Sequence, residues 1–174
     1  MLKEILKNLI TRKRTITFPT GFPIEPGQTV KLVDIQGKLD TIFKRSLRIR
    51  MVDAGSCNAC EWECQALMNP FYDLQRLGID FVASPRHADV LLVSGPVSRQ
   101  MELALKKTYF ATPEPRRVVA CGDCAVNGGI YRGSYAVTDG VANVIPVDAI
   151  IPGCPPTPSA IMLGIAQLMN KDVK

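Results

Sequence analysis

The pattern of apolar and polar residues differs on the two sides of residue 47. Over residues 2–10, Leu and Ile recur at helical spacing while Lys, Glu and Asn fill the opposite positions, which predicts a short amphipathic helix. Residues 15–29 carry three prolines and two glycines and are predicted to form an extended connector. Residues 1–46 are therefore interpreted as an N-terminal extension, and residues 47–174 as a separate domain.

From residue 47 onward, short apolar runs of strand type alternate with segments of helical spacing. The predicted strands cover residues 47–52, 79–83, 90–93, 118–120 and 144–151. The predicted helices cover residues 59–69, 100–108 and 159–169. Short apolar strands that alternate with helices are typical of a parallel sheet with helices on both faces. We therefore expect a doubly wound α/β domain.

The cysteines fall into three groups, and each group follows a predicted strand. They are Cys57, Cys60, Cys64, Cys121, Cys124 and Cys154. Because the loops after parallel strands emerge at one edge of the sheet, we expect these three groups to converge. Each group also has a glycine close to its cysteines, which lets the backbone approach a bulky ligand. These glycines are Gly55, Gly122 and Gly153.

Thiolates, nearby backbone N–H groups and an enclosed setting favour an iron–sulfur cluster. A structural zinc site built from the pairs Cys57/Cys60 and Cys121/Cys124 is the alternative, although it leaves Cys154 without a role. A redox-active C-x-x-C dithiol is less favoured, since it does not require the other two loops. Cys64 is interpreted as a buried core residue.

Composition places the chain among ordinary globular proteins. It has 174 residues and a mass of 19.1 kDa, and 47% of its residues are hydrophobic, which suits one domain plus an extension. No apolar run approaches the ~18 residues that a membrane span needs. The N-terminus lacks the apolar run of a secretory signal, so we expect a cytoplasmic protein with reduced cysteines. The single histidine, His87, excludes zinc sites that need two histidines.

The charge is concentrated in the N-terminal part. Residues 1–50 hold 11 Lys and Arg against 4 Asp and Glu, whereas the remaining residues hold 10 against 12. A basic segment that contains an amphipathic helix favours an anionic membrane or a membrane subunit as its partner. Packing on the chain's own domain remains the alternative. Nucleic acid is not expected, because the segment lacks the aromatic residues of a single-strand binder.

Four motifs carry a resemblance to a known family. They are residues 55–63 (GSCNACEWE), 84–96 (SPRHADVLLVSGP), 122–129 (GDCAVNGG) and 152–158 (PGCPPTP). In this order, over about residues 47–170, they resemble the small subunit of membrane-bound, energy-converting NiFe-hydrogenases of the formate hydrogenlyase type. The terminal-cluster subunit of respiratory complex I is a related family. Two features favour the hydrogenase: the two residues between Cys57 and Cys60, where complex I has adjacent cysteines, and His87.

The resemblance implies a flavodoxin-like fold that holds a single 4Fe–4S cluster. The implied ligands are Cys57, Cys60, Cys124 and Cys154, with Cys121 as an alternative near Cys124. The cluster would carry electrons between a ferredoxin-like subunit and a large subunit that holds the NiFe site. The chain would then be a non-catalytic subunit of an oxidoreductase, peripheral on the cytoplasmic face of the cell membrane and held to membrane subunits by its N-terminal helix. A nickel-free, complex I-like quinone or sulfur-reducing complex is the alternative.

Three residues directly follow the first cysteine pair on the predicted helix. Glu63 is a candidate for proton transfer or for contact with the large subunit, and at least one of Glu61 and Glu63 is expected on a solvated helix face. Trp62 is interpreted as a buried anchor and not as an electron relay. No residue of this chain is expected to be catalytic.

Overall fold

A computed structural model describes residues 46–171 and the side chains of residues 46–168. The predicted N-terminal helix and the connector therefore lie outside the described residues. Within the described part, no helix is long and apolar enough to cross a membrane.

Within residues 46–171, five parallel strands form one sheet. They are β1 (Leu47–Asp53), β2 (Ile79–Phe81), β3 (Val90–Ser94), β4 (Arg117–Cys121) and β5 (Ala149–Ile151). The strand order is β2-β1-β3-β4-β5, and all four pairs are parallel, which is the order of the flavodoxin-like doubly wound fold. The chain places β2 on one side of β1 and then reverses direction, so that β3 pairs with the other side of β1. Ligands of such sheets bind beside the carboxyl ends of the strands at this reversal.

Helices cover both faces of the sheet. They are α1 (Ala59–Ala66), α2 (Arg99–Ala111), α3 (Asp123–Asn127) and α4 (Pro158–Lys171). Side chains of α1 and α4 share one apolar core with the sheet, and side chains of α2 and α3 share the other. Four short 3-10 turns lie in the connections. They are Leu74–Leu77, Pro85–His87, Gly129–Tyr131 and Val141–Asn143. The expected α/β architecture is therefore confirmed.

Three predicted elements are longer than the observed ones. The strand predicted over residues 79–83 ends at Phe81. Residues 144–151 were expected to form an extended segment interrupted by Pro146, and only Ala149–Ile151 forms a strand, because Pro146 has no N–H to donate to a sheet. The first helix ends at Ala66 and not at Asn69. The Asn69 side chain accepts hydrogen bonds from the backbone N–H groups of residues 71 and 72 and so begins a turn.

Candidate metal centre

The first cysteine loop (residues 54–60) is shaped by Asp53 at the end of β1. One carboxylate oxygen of Asp53 accepts hydrogen bonds from the backbone N–H groups of Gly55 and Ser56, both at 2.8 Å. The loop then leads into the first turn of α1. Cys57 is exposed on the loop, and Cys60 is half-buried at the start of the helix. The turn therefore places both sulfurs at the carboxyl edge of the sheet.

The second cysteine loop (residues 122–129) and the third (residues 152–157) are joined to each other. The backbone N–H of Asp123 donates to the carbonyl oxygen of Gly153 at 2.9 Å. The backbone N–H of Gly153 donates to the Asp123 carboxylate at 2.8 Å. This reciprocal pair holds Cys124, at the start of α3, in a fixed relation to Cys154, which is exposed on the third loop.

The structure brings Cys57, Cys60 and Cys154 near enough to Cys124 for their charges to act on its thiol. Burial raises the pKa of the Cys124 thiol, and the neighbouring charges of Cys154, Cys57 and Cys60 raise it further, because a second negative charge nearby disfavours ionisation. The backbone N–H of Ile130 donates to the Cys124 sulfur and opposes this effect. The loops that the strand order predicted to converge therefore do so.

The other two cysteines lie beneath this group, in the core between the sheet and α1. Cys121 is fully buried and Cys64 nearly so. The Cys121 thiol hydrogen-bonds to Cys60 and also to Cys64, and these contacts, with burial, raise the pKa of Cys121. The hydrogen bond from Cys121 lowers the pKa of Cys60. Cys64 is thus a core residue as expected, and Cys121 belongs to the same layer.

Two glycines keep the space beside the sulfurs open. A Cβ atom at Gly122 would lie 2.7 Å from the Cys60 sulfur, and a Cβ atom at Gly129 would lie 2.9 Å from the Cys124 sulfur. Both glycines have a positive φ, 90° and 50°, which side-chain-bearing residues rarely adopt. Only glycine therefore fits these two positions without moving a cysteine.

The donor set was compared with the chemistry of an iron–sulfur cluster. Among residues 46–171, no three His, Cys, Asp or Glu side chains are grouped so as to hold a single metal ion. Iron–sulfur clusters take soft thiolate ligands and hydrogen bonds to sulfur. Four converging thiols, an N–H group directed at one of them and open space beside two of them fit such a cluster.

The acidic residues after Cys60 occupy different surroundings. Glu61 is buried and accepts a hydrogen bond from the hydroxyl of Ser94 at the end of β3, whereas its second oxygen has no hydrogen-bond partner. Glu63 is half-buried, and its suggested role stays a prediction. Helical spacing along α1 gave no signal for the Glu61–Ser94 contact, because Ser94 comes from a distant strand.

The structure also places Trp62 and His87. Trp62 is 63% exposed, so the expectation that it is buried in this chain is wrong. It lies on α1, two residues after Cys60. His87 precedes β3 in a 3-10 turn and therefore lies at the amino edge of the sheet, opposite the cysteines.

Comparison with known proteins places the cysteine loops inside a family match. The family model described as "NADH ubiquinone oxidoreductase, 20 Kd subunit" matches residues 57–168, a segment that includes all six cysteines. Formate hydrogenlyase subunit 7 of Escherichia coli (strain K12) is 38% identical over 150 residues, which are 86% of this chain and 59% of that protein. The chain thus spans less than two thirds of that relative.

Two further similarities extend the match. The probable membrane-bound hydrogenase subunit mbhJ of Pyrococcus furiosus is 42% identical over 130 residues, covering 75% of this chain and 78% of that protein. A chain of the membrane-bound sulfane sulfur reductase, an archaeal respiratory membrane complex, is 36% identical with a TM-score of 0.65. That alignment covers 80% of this chain and 74% of the other. Sequence and fold therefore agree over the part that carries the cysteines.

Proposed function

Because the chain belongs to the NADH ubiquinone oxidoreductase 20 kDa subunit family, we propose that it is an electron-transfer subunit of a membrane-bound hydrogenase complex. Cys57, Cys60, Cys124 and Cys154 would hold one 4Fe–4S cluster. When bound, the cluster supplies a one-electron redox centre. The observation that carries this proposal is the convergence of these four thiols at the carboxyl edge of the sheet.

The chain's own residues provide the setting for this centre. Asp123 joins the second and third cysteine loops, so two of the four thiols keep their relative position without a metal. Buried Cys121 and Ile151 close the core below the site, whereas Cys57 and Cys154 stay exposed. The site is thus dry on its inner side and open on the side where a partner would dock. Hydrogen bonds to sulfur and exclusion of water set the potential of such a centre.

We propose a large subunit with a NiFe site and a ferredoxin-like subunit as partners. Relatives named as a formate hydrogenlyase subunit and a membrane-bound hydrogenase subunit support this assignment. The chain would be peripheral on the cytoplasmic face of the cell membrane, with residues 2–10 contacting membrane subunits. Trp62 and Ile130 are 63% and 79% exposed beside the cysteines. Large apolar side chains exposed next to a site are typical of a partner interface.

The interface is tested by truncating one exposed aromatic residue. We expect Trp62→Ala to weaken capture of the large subunit by at least roughly tenfold, as for an aromatic side chain buried by a partner. Phe110→Ala is the matched control, because Phe110 is 73% exposed near the end of α2, toward the opposite edge of the sheet. Equal capture by both variants would place the interface elsewhere.

The electron-transfer role is tested in the assembled complex. We expect Cys154→Ala to abolish reduction of ferredoxin by hydrogen, while isotope exchange between hydrogen gas and water continues at the large subunit. Cys64→Ala is the control, because Cys64 is buried and outside the proposed ligand set. Nickel in the purified complex reports that assembly has occurred. Undiminished ferredoxin reduction by Cys154→Ala would refute the role.

A second candidate function is electron transfer in a nickel-free complex that reduces a quinone or sulfur. The similarity to a sulfane sulfur reductase chain favours it. Nickel analysis of the co-purifying large subunit separates the two candidates, since only the hydrogenase requires nickel. A structural zinc module is a third candidate, for which zinc would replace iron and sulfide in the purified protein.

A further inference from the structure

We propose that a loop beside Cys124 is the docking surface for an acidic face of the ferredoxin-like subunit. This loop, which we name the tyrosine loop, comprises residues 130–140 and lies between α3 and the 3-10 turn Val141–Asn143. The inference rests on the proposed function and deepens it, since it assigns one of the two proposed partners to a surface of this chain. It is supported by how the loop is held, by which side chains it exposes and by where it lies.

Hydrogen bonds hold the tyrosine loop against the start of α2. The backbone N–H of Arg99 donates to the carbonyl oxygen of Ala136 at 2.9 Å, and the Arg99 Nε donates to the carbonyl oxygen of Tyr135 at 2.7 Å. The backbone N–H and the hydroxyl of Thr138 both donate to the carbonyl oxygen of Val97, at 2.9 Å and 3.1 Å. Because the loop backbone is already fixed, a partner does not have to order it, which lowers the entropy cost of association.

The exposed side chains of the tyrosine loop have the composition of a protein interface. Tyr135 is 90% exposed, Ile130 is 79% exposed and Tyr131 is 38% exposed, and Arg132 is exposed among them. Aromatic residues and arginine are enriched in protein interfaces and dominate their binding energy. Tyr135 holds the loop through its carbonyl oxygen, so its ring is available to a partner.

The charge of this surface indicates the chemistry of the partner. The exposed charged residues of the tyrosine loop and of the helix start that holds it are Arg132 and Arg99. Asp139 is half-buried instead, and its carboxylate accepts a hydrogen bond from the backbone N–H of Gly133 at 2.8 Å. A surface with two exposed guanidinium groups and apolar side chains between them is complementary to a partner with exposed carboxylates.

The position of the tyrosine loop suits a partner that exchanges electrons with the cluster. The loop directly follows Gly129, where a Cβ atom would lie 2.9 Å from the sulfur of Cys124. A subunit seated on Ile130 would therefore lie next to a proposed cluster ligand. Trp62, the proposed contact of the large subunit, is on α1, which packs on the face of the sheet opposite to α2. The two partners would then approach the cysteines from different sides, as electron transfer between them through this chain requires.

The test measures how fast the ferredoxin-like subunit dissociates from the complex, purified without oxygen through the large subunit. We expect Tyr135→Ala to speed this dissociation at least roughly tenfold, as for an aromatic side chain buried by a partner, while the large subunit stays bound. We expect Arg132→Glu to weaken binding roughly tenfold at low salt and to reduce the dependence of binding on salt, because salt screens the attraction that this variant removes.

Two substitutions on α2 are the matched controls. Phe110→Ala removes an aromatic ring that is 73% exposed, and Lys107→Glu reverses an exposed positive charge. Both residues lie in the second half of α2, away from the cysteine loops. We expect both variants to release the ferredoxin-like subunit at the rate of the unsubstituted complex.

Each outcome decides the proposal. Unchanged dissociation in Tyr135→Ala, or unchanged binding and salt dependence in Arg132→Glu, would overturn it. Loss of the large subunit in place of the ferredoxin-like subunit, or an equal effect in the controls, would also overturn it. If Tyr135→Ala loses its iron, Arg132→Glu decides alone. Absence of iron, sulfide and the ferredoxin-like subunit from the unsubstituted complex would instead refute the proposed function.

Discussion

Replacing Gly122 with alanine places a methyl group against the Cys60 sulfur. Gly122 has φ 90° and ψ 155°, a backbone region that is essentially restricted to glycine and costs about 1–3 kcal/mol for other residues. The added Cβ atom would lie 2.7 Å from the Cys60 sulfur. Overpacking of this kind costs a further amount of about 1–3 kcal/mol. The substitution therefore strains the backbone and displaces a proposed ligand together.

The combined cost of roughly 2–6 kcal/mol is below the upper range of domain stability, about 15 kcal/mol. We expect the variant to fold with lowered stability, because the core away from the cysteines is unchanged. We also expect it to hold much less iron and sulfide, because Cys60 must move to admit the methyl group. The measurement is iron and labile sulfide per chain after purification without oxygen, alongside the urea midpoint of the same sample.

Gly133→Ala is the control for this prediction. Gly133 also has a positive φ, 77°, but a Cβ atom there would have no neighbour within 4 Å. It therefore carries a backbone cost without an approach to a cysteine, and its iron content should match that of the unsubstituted protein. Full iron content and an unchanged paramagnetic signal in Gly122→Ala would refute the placement of Cys60 in the site.

Three further substitutions test contacts around the site. Asp123→Ala removes the acceptor that joins the second and third cysteine loops and should speed iron loss to a chelator by roughly 5–30-fold; an unchanged rate would contradict the joining role. Ser94→Ala leaves the buried Glu61 carboxylate without its donor and should cost about 1–3 kcal/mol in urea unfolding, so a neutral result would argue against the contact. Gly164→Ala should destabilise by about 1–3 kcal/mol, because the new Cβ atom would lie closer than van der Waals contact to the Ile151 side chain on β5. A stabilised variant, as helix propensity alone predicts, would contradict that packing.

The fold was largely predictable because β3 and β4 are buried along almost their whole length and appear in the sequence as short apolar runs. The position of the cysteine loops at the ends of β1, β4 and β5 then implied their convergence. The helix α3 was not predicted, because its five residues are too few to show helical periodicity. The extent of β5 was overestimated, since apolar residues on both sides of Pro146 look extended whether or not they join the sheet.

Side-chain surroundings were less predictable than the backbone. Glu61 and Glu63 both follow Cys60 on one short helix, and only contact with Ser94 of β3 distinguishes the buried one. Trp62 was expected to be a buried anchor, yet it is 63% exposed in this chain. Contacts between segments that are distant in sequence determine whether such side chains are buried. These contacts cannot be inferred from a single sequence. The boundary between residues 1–46 and the domain stays a prediction.

The most direct test is the metal content of this chain, purified on its own in the absence of oxygen. We predict about four irons and four labile sulfides per chain, with a paramagnetic signal that appears on reduction. The same analysis should find no stoichiometric zinc in this chain. About one zinc per chain without sulfide would contradict the electron-transfer role and would make the converging cysteines a structural site.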